Sequence, residues 1–230
     1  LWHGIDAARL HCEPPAMLHQ DLTLIERVLR DESDLDAVVI DDAQTFAIAC
    51  TYRDRTMPQS RVKIENRKAS HDLFGAMGVE EEVASLTEPR VKLPSGGWIT
   101  IETTEAMTAI DVNSGSYGSG TRVEDLGFAV NVEAARVIAR QLRLRGIGGL
   151  IAIDFVDMEN PEHRLALMET LHKATEPDRA PVRILPPSEF GVVEMTRKRL
   201  GEPLDRVLSE PLVEGSYVGR RKKAAALACD

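Results

Sequence analysis

Asp111, Asn113 and Asp154 are the residues whose types and spacing could hold a hard cation. Asp111 and Asn113 belong to the alternating run Met107-Thr108-Ala109-Ile110-Asp111-Val112-Asn113, and a strand's period of two turns both side chains to one face. Asp154 follows the apolar run Leu150-Ile151-Ala152-Ile153. Two carboxylates and an amide suit magnesium, which prefers oxygen ligands, takes few of them from protein and keeps waters for exchange. Manganese is an acceptable substitute. Such an ion polarises a phosphoryl oxygen and lowers the pKa of a bound water, so no nucleophilic side chain is required. An Asp at a strand end is more often a helix cap or a turn residue. Asp154 carries the stronger case, because a carboxylate left unpaired in a core would cost several kcal/mol. Asp157 reads equally as a partner behind the ligands or as the cap of the next turn.

The elements that must position these groups follow from periodicity. Phe128, Val132, Ala135, Ile138 and Leu142 recur at helical intervals, predicting a helix over 127–145 closed by Gly146. A strand, a helix and a second strand in succession form a right-handed parallel crossover, so the C-terminal ends of both strands share one sheet edge. Ligands bind at that edge in open α/β sheets. Upstream, Arg90-Val91-Lys92-Leu93 and Trp98-Ile99-Thr100-Ile101 flank the turn Pro94-Ser95-Gly96-Gly97, which predicts a β-hairpin. Downstream, Asn160 and Pro161 open a helix towards Ala174, and Val182 to Leu185 returns as a strand.

The N-terminal part predicts a helix over 22–29, a strand over 37–40, a helix over 43–50 capped by Asp41 or Asp42, and a strand over 61–64. The expected fold class is α/β: a mixed sheet with a parallel βαβ crossover carrying the metal site, preceded by a smaller α/β segment. Its expected divisions are 1–88, 89–200 and a helical, basic tail over 201–230.

Hydrophobic residues at 43% and charged residues at 28% are ordinary for a soluble globular protein, and no apolar stretch reaches membrane-spanning length. No secretory signal is visible. The first residue is Leu1 in place of an initiating Met, which is compatible with a fragment or a processed chain. Cys12, Cys50 and Cys229 form no C-x-x-C pair, which argues against a disulfide framework or a complete zinc cluster and favours a reducing cytoplasm. The formal charge of -9 opposes binding to a polyanion, yet cations cluster at Arg136, Arg140, Arg143 and Arg145, at Arg197 to Arg199 and at Arg220 to Lys223.

Several blocks resemble the catalytic region of the ribonuclease E/G family: Val91 to Gly97, Thr104 to Ser114, Asn131 to Ala135, Ile138 to Arg145, Gly148 to Met158 and Phe190 to Arg199. The resemblance implies a nuclease-like subdomain over 89–200 and a ribonuclease-H-like part over 1–88. It implies magnesium bound by Asp111 and Asp154, with Asn113 assisting. The implied reaction is hydrolysis of single-stranded RNA to 5′-phosphate and 3′-hydroxyl ends. The family's S1 domain and 5′-monophosphate pocket are not expected within this length, so a protein partner could supply RNA grip. The family's C-P-x-C zinc block has only Cys229 near its place, so no structural zinc is expected and any homodimer would form without one.

Within the matching block, Arg197 and Arg199 are candidates for RNA contact. Arg140, Arg143 and Arg145 are further candidates, although a solvated helix face is the commoner role for each alone. Tyr117, Trp98 and Phe190 could stack bases, with core packing the commoner role for Trp98 and Phe190. The loop after Asn113 carries Ser116 and Ser119 where the family commonly has arginine, which weakens its expected phosphate grip. The alternative functions are an RNA-binding or partner-binding module with little catalysis, and hydrolysis of another phosphoester.

Overall fold

Thr23 opens the helix α1 (Leu24–Asp31), and its backbone N–H donates to the Glu26 carboxylate at 2.7 Å in a capping box. The computed structural model describes residues 6–7, 9–11, 21–32, 34–67, 73–115, 123–211 and 220–222. The chain divides into two compact units, Leu1–Glu80 and Glu81–Asp230. The boundary expected from sequence lies a few residues further along.

In the first unit α1 is followed by β1 (Ala37–Ile40), α2 (Ala43–Thr56) and β2 (Lys63–Asn66), with β1 and β2 paired in parallel. Of the two candidate caps for α2, Asp42 is the one used, accepting from the Thr45 amide at 2.6 Å. Leu29, Ile40, Ala49, Tyr52 and Val62 form a small core. Two short helices follow, α3 (Leu73–Ala76) and α4 (Val79–Ser85), and the division between units falls inside α4.

The second unit holds β3 (Arg90–Lys92), β4 (Trp98–Thr103), β5 (Met107–Asn113), α5 (Val123–Leu144), β6 (Gly149–Asp154), α6 (Pro161–Thr175), β7 (Val182–Ile184) and β8 (Val193–Arg197). The six strands form one mixed sheet in the order β3-β4-β5-β6-β8-β7. The hairpin pairs β3 with β4, and the crossover sets β5 beside β6 in parallel. Strand β8, which sequence reasoning did not assign, enters antiparallel between β6 and β7. The fold class is therefore the expected one, α/β with a parallel βαβ element in a mixed sheet. Further on come α7 (Leu204–Val207) and the strands β9 (Ser209–Pro211) and β10 (Arg220–Lys222), which pair antiparallel. This strand pair adds to the helical, basic tail read from sequence. Among the described residues no helix is long and apolar enough to cross a membrane.

Alternation along each strand makes the sheet one-sided. Ile99, Ile101, Ile110, Val112, Ile151, Ile153, Val193 and Met195 share a core with Val130, Ala134, Ile138 and Leu142 of α5 and with Leu167 and Leu171 of α6. On the opposite face lie the exposed Ala109 and Asp111 of β5, Leu150 and Asp154 of β6, and Glu194 and Thr196 of β8. Helices cover one face, and the candidate ligands are on the other.

The hairpin turn abuts the end of β5. A Cβ placed on Gly97 would lie 2.6 Å from the Asn113 carbonyl oxygen, a backbone atom that cannot swing aside. Gly97→Ala should therefore displace the strand end bearing Asp111 and Asn113 and destabilise the second unit by about 1–3 kcal/mol. Thermal unfolding measures this, and an unchanged midpoint would show that the turn yields freely.

Candidate functional site

Parallel pairing sets Asp111 opposite Asp154, one strand spacing away, about 4.8 Å between backbones. Both side chains are exposed on the open face. The expectation that Asp154 would be a carboxylate trapped in the core is overturned: period two buries Ile151 and Ile153 on the helix side and turns Asp154 outwards. Asn113 donates from Nδ2 to Asp111 Oδ2 at 2.6 Å, fixing one oxygen of that carboxylate. Among the described residues no group of three or more His, Cys, Asp or Glu gathers to hold a metal. The donor set is thus two carboxylates with a neighbouring amide, which fits an ion that retains most of its waters, such as magnesium. Asp157 is exposed, and the helix after it is capped by Asn160, whose side chain accepts from the Glu162 amide at 2.9 Å.

Three polar side chains of α5, which sequence reasoning passed over, hold the loops at this edge. Asn131 is fully buried and makes a paired contact with Val156, donating to its carbonyl at 2.7 Å and accepting from its amide at 2.9 Å. This clasp lies two residues beyond Asp154. Glu124 accepts from the Asn160 amide at 2.5 Å, and Glu133 accepts from the Ser95 amide in the hairpin turn at 3.2 Å. Phe128 stacks on His163 at 4.3 Å between ring centroids, joining α5 to the start of α6. The signal for Asn131 was a polar residue inside the apolar stripe that continues through Ala134, Ala135 and Ile138.

The arginines are placed elsewhere. Arg197 lies opposite Gly149, at the start of β6, roughly 16 Å along the strand from Asp154. It shares the inward face with Val193 and Met195 and is only 7% exposed. Its Nε and Nη2 donate to Asp178 at 2.8 and 3.0 Å, and its Nη1 donates to the Ile147 carbonyl at 2.7 Å. The expectation that Arg197 contacts RNA therefore gives way to a role inside the fold. Arg145 is also buried, bonded to Gln141 and to the Glu88 carbonyl. Arg199 is exposed and lies along Gly148, donating to its carbonyl at 3.2 Å. Arg140 is exposed and pairs with Glu82, while Arg143 donates to the Ala174 carbonyl at 3.2 Å. Helix α5 returns antiparallel to the strands it joins, so its C-terminal arginines sit at the end away from the aspartates.

The aromatics divide sharply. Trp98 is half-buried with the Arg90 guanidinium 3.8 Å from its ring centroid, and Tyr117 lies outside the described residues, as do Ser116 and Ser119. Phe190 is 90% exposed, which overturns the core-packing role expected for it.

A helix-backed mixed sheet with two aspartates paired across its open edge defines an α/β domain with a candidate hydrolytic centre. A model of the ribonuclease E/G family matches residues 1–200, and the chain belongs to that family. It is 38% identical to ribonuclease G of Escherichia coli (strain K12) over 210 residues, which cover 90% of this chain and 43% of that protein. It is 37% identical to the putative ribonuclease E of Buchnera aphidicola subsp. Baizongia pistaciae, covering 93% and 53%, and 38% identical to ribonuclease E of Escherichia coli (strain K12), covering 88% and 19%. The chain thus spans about half or less of the relatives it matches.

The Asp178–Arg197 pair predicts an acid-sensitive fold. Burial pushes the Asp178 carboxyl up, but the Arg197 hydrogen bonds, the Ala180 amide and the charges of Arg197 and Arg143 outweigh it and hold the group below its ordinary value. A depressed carboxylate stabilises the fold above its unfolded pKa near 3.9, and that contribution is lost as pH falls through the folded value. Asp178→Ala should cost about 3–5 kcal/mol, because it strands a buried guanidinium, and should remove this acid limb. Urea unfolding between pH 3 and pH 7 tests both, and equal stability of the two proteins at neutral pH would refute the role.

Proposed function

We propose that this chain is the catalytic region of an endoribonuclease that hydrolyses single-stranded RNA with magnesium at Asp111 and Asp154. The in-register placement of these aspartates on the uncovered face of the sheet carries this reading, and membership of the ribonuclease E/G family supports RNA as the polymer. When bound, magnesium supplies positive charge against a phosphoryl oxygen and acidifies water near the scissile phosphate. Asp111 and Asp154 hold the ion from adjacent strands. Asn113 orients the Asp111 carboxylate through its 2.6 Å hydrogen bond. Asn131, by clasping Val156, fixes the backbone that leaves Asp154. In the proposed reaction the oxygen of water bonds to phosphorus, the bond to the 3′ oxygen breaks, and a proton passes to that oxygen. The products are a 5′-phosphate and a 3′-hydroxyl. Manganese would serve in place of magnesium, and a homodimer is the proposed assembly. The cytoplasm is the proposed setting.

Asp111→Asn and Asp154→Asn should each lower cleavage of a labelled unstructured RNA by orders of magnitude, since each removes an anionic ligand and little volume. RNA binding should survive better than turnover, and DNA of the same sequence should remain uncut. Cleavage of equal rate by the wild type and both variants, or by the wild type in a magnesium chelator, would rule out the assignment.

A further inference from the structure

We infer that the cleft between α6 and the β7–β8 loop, with Phe190 on its rim, receives an unpaired base of the RNA strand that reaches round the sheet end from the phosphate held at Asp111 and Asp154. This inference rests on the nuclease reading above. The cleft has a volume of about 800 Å³ and is floored by Phe155, Leu167, Met168 and Ile184, within the range of cavities that take small planar groups. Its position follows from the register. Val193 lies opposite Ile153, so the turn preceding β8 stands at the sheet end that carries Asp154, with the cleft on the helix-covered side of that end. Asp157 Oδ1 is 4.0 Å from where a Cβ on Gly191 would sit, so the chain leaving Asp154 adjoins the Phe190 turn.

The exposure of Phe190 is built in. The Ser188 amide donates to the Val192 carbonyl at 2.9 Å and the Gly191 amide to the Ser188 carbonyl at 3.0 Å, closing a tight turn. Gly191 has a φ of 83°, a left-handed conformation that suits glycine. The ring is thus held out by a closed turn. An aromatic face presented to solvent beside a polymer's path is the stacking platform used by single-strand binders, and it tolerates any base. The polar groups of the cleft indicate a base over a phosphate. Arg164 and His172 line it together with Asp157 and Glu189, and these carboxylates would repel a phosphate while accepting hydrogen bonds from a base edge.

The test uses short unstructured RNAs carrying 2-aminopurine at successive positions around the cleavage site, bound to protein in an Asp154→Asn background so that the RNA stays whole. One position should show quenched fluorescence that is lost in Phe190→Ala and kept in Phe190→Trp. Phe190→Ala should weaken binding roughly 5- to 150-fold, and an abasic nucleotide at that position should weaken binding by Phe190 protein and leave Phe190→Ala unaffected. Phe190 is at the surface, so unchanged thermal unfolding should accompany these effects. If the wild type cuts RNA but no position responds to Phe190→Ala, the base site is overturned and the nuclease reading stands. Quenching at one position by a protein that does not cut would keep the base site and remove the nuclease reading. Absence of RNA binding by both proteins would overturn both.

Discussion

The site depends on one pairing, the parallel ladder between β5 and β6 that sets Asp111 opposite Asp154. The ladder follows from the crossover through α5, which returns the chain to the sheet in the same direction. Its register is enforced by burial: Ile110 and Val112 on one strand and Ile151 and Ile153 on the other must face the helices together. A slip of one residue would bury the aspartate and expose the isoleucines, combining a large desolvation penalty with lost apolar burial. The hydrophobic pattern that stabilises the core is therefore what brings the two carboxylates together.

Helix α5 adds precision to that pairing. It supplies the apolar layer beneath β5 and β6, and Glu124, Asn131 and Glu133 reach from it to the backbone of separate loops at the same edge. Asn131 matters most in energetic terms, because a fully buried amide would be left with unsatisfied groups if Val156 moved. The loop after Asp154 is thus held by the interior of the domain, while the carboxylates project into solvent. Backbone held beneath exposed carboxylates is the arrangement that preorganises a centre without strain at the carboxylates themselves.

Much of this was legible in the sequence because period and capping are local signals. The hairpin around Pro94 to Gly97, the strand Met107–Asn113, the long helix and the Asn160–Pro161 start of α6 all follow from spacing and turn chemistry. Tertiary contacts decided the remainder. Val193 and Met195 alternate, so Arg197 was bound to point inwards, but its partner Asp178 is defined only once α6 has packed. Arg197 and the arginines of α5 were candidates for RNA contact, whereas the antiparallel course of α5 and β8 carries them to the end of the sheet away from the aspartates. For Phe190 the sequence left base stacking open beside the commoner core role, and a closed turn placed it outside. Asp154 looked trapped because it follows an apolar run, yet its alternation faced it to solvent.

The one-sided covering of the sheet has a consequence for how this domain can vary. Residues facing α5 and α6 answer to packing density, where a single methylene is felt, while those facing outwards answer to whatever passes over them. The two sets alternate along the same strands, so adjacent positions answer to different physical constraints. Lineages can retune the outward face without disturbing the scaffold, and the scaffold can accumulate compensating changes without touching the outward face.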